Sequence, residues 1–275
     1  MHYSIERCER SWLALMIGNS RLHWAWFVDG TLDRAWDTSH LSAAAVERLS
    51  QRLASGILPE GILPPHVASV ASDTSKPLPV YMASVVPEQT TLWQGYPPAK
   101  TITLADVPLV GLYPTLGVDR ALALLGAGET LGYPVLVIDA GTALTFTGAD
   151  SQQRLIGGAI LPGLRLQFQS LARNTAALPA IQLPSQLPSR WATKTPAAIE
   201  SGVIYTVLAG MRDFIEDWCC QFPDSQIALT GGDSHLLLAY LQSQLPKTER
   251  QPIADPYLIF WGMRSLRFKF VIHNS

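Results

Sequence analysis

The chain has 275 residues, 48% of them hydrophobic and 15% charged, enough for one large or two medium domains with real cores and no compositional case for disorder. Net charge is −2 with no block of Lys or Arg, which argues against a nucleic-acid partner, and no apolar run is long enough to span a bilayer. Three cysteines (Cys8, Cys219, Cys220) without framework or CxxC spacing suggest reduced thiols and a cytoplasmic protein. The N-terminal apolar run is short and broken at Asn19, so no signal peptide or membrane partner is expected.

Trp12 to Phe27 reads as a strand, a Gly18-Asn19-Ser20 turn and a second strand alternating Leu22, Trp24 and Trp26 against His23, Ala25 and Phe27. Asp29-Gly30 is a hairpin signal leading to a third extended piece. Leu41 to Leu53 has helical spacing with Ser42 near its start. Residues 56–79 read as loop, with prolines at 59, 64, 65, 77 and 79. A buried strand from Val80 closes at Pro87, and a linker-like region runs to about residue 112.

Tyr113-Pro-Thr-Leu-Gly117-Val-Asp119-Arg120 introduces a small-residue helix. Asp119 suits a helix start, where the dipole favours an acid. An Asp-Arg pair there also suits phosphate chemistry, the acid orienting a hydroxyl and the guanidinium facing developing negative charge. Val135-Leu-Val-Ile-Asp139-Ala-Gly-Thr142 is a buried strand ending in an acid and a tight turn, followed by a second strand from Ala143. On turn chemistry alone Asp139 is either the cap of an ordinary hairpin or a group held against a ligand. The plan repeats that of residues 12–27, and two such hairpins suggest a duplicated architecture with a nucleotide between the halves.

Ile156 to Gly163 is extended, its paired glycines marking close approach of a ligand or a packed helix, and a helix spans Leu164 to Ala172. A Pro-rich segment (179–190) precedes a helix starting near Thr195-Pro196 and running to about Trp218, with Ile199, Val203, Thr206, Val207 and Gly210 on one face. Ile227 to Asp233 is a strand ending in a Gly-Gly turn, with a helix from about Ser234 to Leu241. A closing helix from Tyr257 is followed by an extended Arg267 to His273.

Walker-type, dinucleotide, GxSxG and HExxH spacings are absent. What remains is a set of small-residue turns after strands, and with them the chain resembles the type III pantothenate kinases. The motifs that carry the resemblance are Met16-Ile-Gly18-Asn19-Ser20, Gly117-Val-Asp119-Arg120, Asp139-Ala-Gly-Thr142-Ala and Thr230-Gly-Gly-Asp233. Ala83-Ser-Val-Val-Pro87, Gly157 to Gly163 and Thr175 to Pro179 follow the family order as well.

The resemblance implies an α/β fold of two ribonuclease-H-like (actin-like ATPase) domains with mixed sheets and a nucleotide cleft between them, here divided as residues 1–128 and 129–275. It implies transfer of the ATP γ-phosphate to the primary hydroxyl of pantothenate, the first step of coenzyme A biosynthesis. Met16, Ile17, Gly18, Asn19, Ser20, Arg21, Leu22 and His23 would form the first ATP loop, and Thr142 would contact ATP from the second. Tyr113, Gly117, Val118, Asp119, Arg120 and Thr195 would bind pantothenate, with Asp119 taking the hydroxyl proton and Arg120 neutralising phosphate oxygens. Tyr113 lies nearer the Gly-x-Asp-Arg element than the family's substrate tyrosine does. Asp139 would hold a monovalent cation, potassium or ammonium, ATP would enter with Mg2+, and the family acts as a homodimer.

Two positions depart from the family pattern. Met16 stands where an aspartate usually helps hold the nucleotide's magnesium, and His23 replaces a lysine. A thioether is a poor ligand for a hard cation, so Met16 reads as a strand core residue. A nucleotide-binding regulator that has lost turnover is the alternative, against which the intact Asp119-Arg120 pair argues. Of the six histidines only His23 is given a functional role. The tryptophans read as core and dimer packing, and Asp233 as a turn residue.

Overall fold

Residues 11–56, 76–244 and 251–273 are described by the computed structural model of the chain, with side chains described as far as residue 267. The expectations for Cys8, His2, His66 and most of the proline-rich segment 56–79 lie outside them.

The apolar run at the start forms β1 (Ser11–Ile17), which pairs antiparallel with β2 (Leu22–Val28). Asp29 and Gly30 turn the chain with φ of 49° and 76°, the left-handed pair that a two-residue hairpin requires, into β3 (Thr31–Thr38). The ladder between β2 and β3 slips by one residue at a bulge between Trp26 and Phe27. Ser42 caps α1 (Ala43–Ala54) by accepting a hydrogen bond from the Ala45 amide. From α1, Val46, Leu49 and Leu53 pack on Leu13, Leu15 and Ile17, alternate residues of β1, and on Trp24 and Trp26 of β2. This is the two-residue period of a strand meeting the four-residue period of a helix.

Parallel to β1 runs β4 (Val80–Ser84); Pro87 then opens the short helix α2 (Pro87–Thr91). The region read as a linker contains a further strand, β5 (Ala99–Thr101), parallel to β4, and a 3-10 turn at Leu104–Asp106. Its short polar sequence carries no alternation, and β4 supplies the pairing that fixes it. Helix α3 (Val118–Leu131) follows the Gly117 turn.

Next comes a second sheet. Strands β6 (Val135–Ala140), β7 (Ala143–Ala149) and β8 (Leu155–Pro162) pair antiparallel in turn, and α4 (Leu164–Asn174) follows. Helix α5 (Thr195–Gln221) leads to β9 (Gln226–Thr230), α6 (Ser234–Gln242) and β10 (Ile253–Ala254). The sheet orders are β3-β2-β1-β4-β5 and β8-β7-β6-β9-β10, with the same parallel and antiparallel relations strand for strand. The duplication expected from the two hairpins is therefore a duplication of whole sheets.

Helix α5 buries Ile199, Val203, Ile204, Val207, Leu208 and Met211 against Leu136 and Ile138 of β6 and Leu237 and Leu241 of α6. Thr206 and Gly210, expected on the same face, are exposed. The buried stripe advances by three and four residues, as helix geometry demands, and passes them by.

The last element, α7 (Leu258–His273), is helical to its end, correcting the extended reading of residues 267–273. Arg267-Phe-Lys-Phe alternates polar and apolar over too few residues to distinguish a strand from the end of a helix. Its Arg267 guanidinium lies over the rings of Trp12 and Tyr81, and Trp261 meets Phe27 edge to face. These contacts cover the side of the first sheet opposite α1. Gly262 allows the α7 backbone to touch α3, where a Cβ would come within 2.2 Å of the Leu122 carbonyl oxygen.

By contacts the chain divides into two units. The first comprises Met1–Pro108, Pro114–Leu122 and Ile259–Ser275, and the second Leu109–Tyr113 and Ala123–Leu258. Fold and class, two five-stranded mixed sheets with helices, are those expected of the actin-like ATPase architecture.

Candidate active site

In the first unit the loop after β1 is closed by the Gly18 amide donating to the Arg21 carbonyl at 2.9 Å. His40, just beyond β3, steadies it: its Nε2–H donates to the Gly18 carbonyl at 2.8 Å. Asn19, Ser20 and Arg21 are exposed at the tip. Met16, Ile17 and Leu22 are buried, so only their backbones could reach a ligand.

The His23 ring lies beside Gly18, whose Cβ, had it one, would sit 3.4 Å from His23 Nε2. On the ring's other side Nδ1 is 2.8 Å from Asp37 Oδ1, and Arg21 Nη1 approaches Asp37 Oδ2 at 3.5 Å. The hydrogen bond from His23 and the positive charges of His23 and Arg21 hold the Asp37 carboxyl below the usual aspartate value, against the opposing effect of partial burial. Neither Asp37 nor His40 was singled out from the sequence. The bulge in β3, where Asp33 is the extra residue, puts Asp37 opposite His23, and bulges leave no reliable mark in sequence.

Also in the first unit, the Gly117 turn delivers Asp119 to the first turn of α3. The carboxylate folds back over Gly117, where a Cβ would fall 2.3 Å from Asp119 Oδ1, so glycine is required for this pose. That oxygen accepts the Arg120 amide at 2.8 Å, leaving Oδ2 for another donor. Asp119 thus serves as the helix-start acid while one carboxylate oxygen keeps its lone pairs. Arg120 is buried, with 8% of its surface exposed.

In the second unit three turns converge. Asp139, one residue from the end of β6, has its Oδ1 against the turn after β9, where a Cβ on Gly231 would lie 2.4 Å away. The Asp233 amide donates to the Ala140 carbonyl at 3.0 Å, tying that turn to β6. Gly163, at the start of α4, donates to the Thr142 carbonyl at 2.9 Å and comes so near that a Cβ would be 2.2 Å from the Gly141 carbonyl. Thr142 is exposed at this junction. Arg165, in the first turn of α4, donates through Nε and Nη2 to Oδ1 of the buried Asp233 at 3.2 and 3.0 Å. Asp233 is therefore more than a turn residue, since it clamps α4 to the Gly-Gly turn.

Thr195 is separate from this cluster. It lines a groove of about 1020 Å³ between α4 and α5, with Pro162, Leu166, Leu171, Ile199 and Val203. Tyr113 is 41% exposed and belongs with the second unit, while Gly117 to Arg120 belong with the first.

Among the described residues no three His, Cys, Asp or Glu side chains converge as a metal cluster. Mg2+ is commonly bound through one or two carboxylates, water and substrate phosphates, so a nucleotide-borne ion fits this donor set. The Asp139 carboxylate, held between two backbone turns, offers hard oxygen chemistry of the kind a cation takes. No described helix is long and apolar enough to cross a membrane.

Comparison with known proteins gives the family. Residues 12–217 match the model of the type III pantothenate kinase family. A type III pantothenate kinase from Nostoc sp. (strain PCC 7120 / SAG 25.82 / UTEX 2576) is 50% identical over 274 residues, 96% of both chains. One from Synechocystis sp. (strain ATCC 27184 / PCC 6803 / Kazusa) is 43% identical over 261 residues, 94% of this chain and 91% of the relative. Among solved structures, a ROK hexokinase from Thermus thermophilus superposes with a TM-score of 0.51 at 11% identity, covering 94% of this chain and 99% of its own, which speaks for the fold alone. The family model matching residues 12–217 and the 50% identity across 96% of the chain make it a member of the type III pantothenate kinase family.

Proposed function

We propose that the chain transfers the γ-phosphoryl group of ATP to the primary hydroxyl of pantothenate, giving 4'-phosphopantothenate at the entry to coenzyme A biosynthesis. The observation that carries this reading is family membership over most of the chain together with an Asp119 carboxylate that keeps one oxygen uncommitted at a helix start. Phosphoryl transfer passes through a loose transition state, so positioning and charge supply most of the catalysis. Asp119 Oδ2 accepts the hydrogen bond of the pantothenate hydroxyl, aims it, and takes its proton late in the transfer. Arg120 and the positive end of the α3 dipole face the developing negative charge.

Residues 16–23 and Thr142 are assigned to ATP. Tyr113, Gly117, Val118, Asp119, Arg120 and Thr195 are assigned to pantothenate. Asp139 is assigned to a monovalent cation, potassium or ammonium, which supplies fixed positive charge beside the phosphates when bound. Homodimerisation and a cytoplasmic location complete the proposal.

The deciding experiment is ADP release with and without pantothenate. Pantothenate-dependent release is expected, and Asp119→Asn should lower turnover by about 10²–10⁴-fold, the scale of a positioned base. Near-normal turnover in that variant moves the base elsewhere. Release independent of pantothenate removes the acceptor assignment.

A further inference from the structure

A lysine at the far end of the first phosphate loop would offer only N–H donors, whereas an imidazole offers a donor at both ring nitrogens only when protonated. His23 is not a free ring. Its Nδ1–H is committed to Asp37 Oδ1 at 2.8 Å, and this anchor turns Nε2 toward Gly18, within 3.4 Å of the Cβ position there. With Nδ1 carrying the ring's proton, a neutral His23 presents a lone pair at Nε2, and only the imidazolium presents an N–H. A lone pair beside Gly18 repels a phosphate oxygen, and an N–H binds it.

We propose that binding of the nucleoside triphosphate at this loop is coupled to uptake of one proton by His23 Nε2, with Asp37 as the residue that positions the ring. The inference rests on reading residues 16–23 as the ATP loop. The proton comes from solvent and returns to it when the nucleotide leaves. Among the described residues Asp37 from β3 is the acid paired with the ring, and Arg21 shares that carboxylate through Oδ2 at 3.5 Å. On the β1 side the paired residue is Met16, which is apolar, and His40 meets the loop through the Gly18 carbonyl. Arg21 holds the second Asp37 oxygen, so the carboxylate does not swing away when the phosphate arrives.

Calorimetric titration of the full chain with the magnesium complex of a non-hydrolysable ATP analogue, in two buffers of different ionisation enthalpy near neutral pH, reads the proton count directly. The wild type is expected to take up more protons per nucleotide than His23→Lys, whose difference cancels any proton carried by the nucleotide itself. Asp37→Ala should lower the uptake and raise KM for ATP while sparing kcat. Equal uptake by wild type and His23→Lys overturns the proposal. Should the lysine variant not bind, the wild-type affinity from about pH 6 to about pH 8.5 decides: a fall approaching tenfold per unit is the limit for one linked proton. A flat profile overturns the coupling alone, while failure of the wild type to bind the analogue at all overturns the assignment of the loop to ATP as well.

Discussion

Gly231→Ala tests whether the second-unit turns are as tightly joined as the backbone indicates. Gly231 has φ of +87°, and a Cβ there would meet Asp139 Oδ1 at 2.4 Å and the Ala140 carbonyl carbon and oxygen at 2.7 and 2.8 Å. The left-handed conformation costs a residue with a Cβ about 1–2 kcal/mol. Backbone atoms of β6 cannot yield as a flexible side chain can, and overpacking of this kind costs about 1–3 kcal/mol more. Reduced freedom of the unfolded chain returns only about 0.4–1 kcal/mol. The net expectation is a loss of about 1–4 kcal/mol in urea unfolding, together with displacement of the Asp139 carboxylate and, on its proposed assignment to a monovalent cation, weaker activation by potassium. Gly232→Ala is the matched control, because nothing lies within 4 Å of its Cβ position and its φ is not left-handed. Equal midpoints and equal potassium activation for the two variants would refute the reasoning.

Two further outcomes can be checked by unfolding alone. The Asp37 carboxyl is held below its ordinary value of 3.8 by His23 and Arg21, so the stabilisation it provides is complete above that value and disappears as pH falls through the lower folded one. His23 and Asp37 are near half exposed and Arg21 more so, so the effect is small, and Asp37→Asn should flatten the urea midpoint between about pH 4 and about pH 2. Arg165→Ala leaves the buried Asp233 without its charged donor and should cost about 1–3 kcal/mol, and Arg165→Ala with Asp233→Asn should cost less than Arg165→Ala alone.

The hairpins were legible because apolar alternation and the Asp29-Gly30 turn specify them locally. So were α1, from Ser42 and its stripe, and the positions of Asp119 and Asp139 at element ends. What escaped was set by partners distant in sequence. Strand β5 exists because β4 offers an edge, and the end of α7 carries a brief Arg267-Phe-Lys-Phe alternation that imitates a strand while the helix before it continues through. At the site, a hairpin continued without a bulge from the Val28–Thr31 pair would set Trp36, not Asp37, opposite His23. The irregularity between Trp26 and Phe27 shifts the ladder by one residue and changes which side chain meets the ring. Arg165 and Asp233 lie 68 residues apart, and only the fold of α4 onto the Gly-Gly turn joins them.

The duplication of the sheets supplies an internal control for Met16. Strands β1 and β6 hold the same place in their sheets, and Met16 and Asp139 are each the residue before the last of the strand. Asp139 is paired with Thr145 on β7 and Thr230 on β9, both able to hydrogen-bond a carboxylate, and lies against the Gly231 turn. Met16 is paired with His23 on β2 and Ala83 on β4, and only 3% of its surface is exposed. Where the second unit surrounds its acid with polar partners, the first has an alanine in place of one of them. Met16→Asp therefore removes a packed side chain and buries a carboxylate, and should destabilise the nucleotide-free chain by about 2–4 kcal/mol. If the aspartate gains a role with the nucleotide's magnesium, saturating magnesium-ATP recovers more stability in the variant than in the wild type, as ligand linkage requires. A variant as stable as the wild type without nucleotide would show that the position accommodates an acid after all, and equal magnesium-ATP affinity would show that the missing carboxylate does not limit the loop.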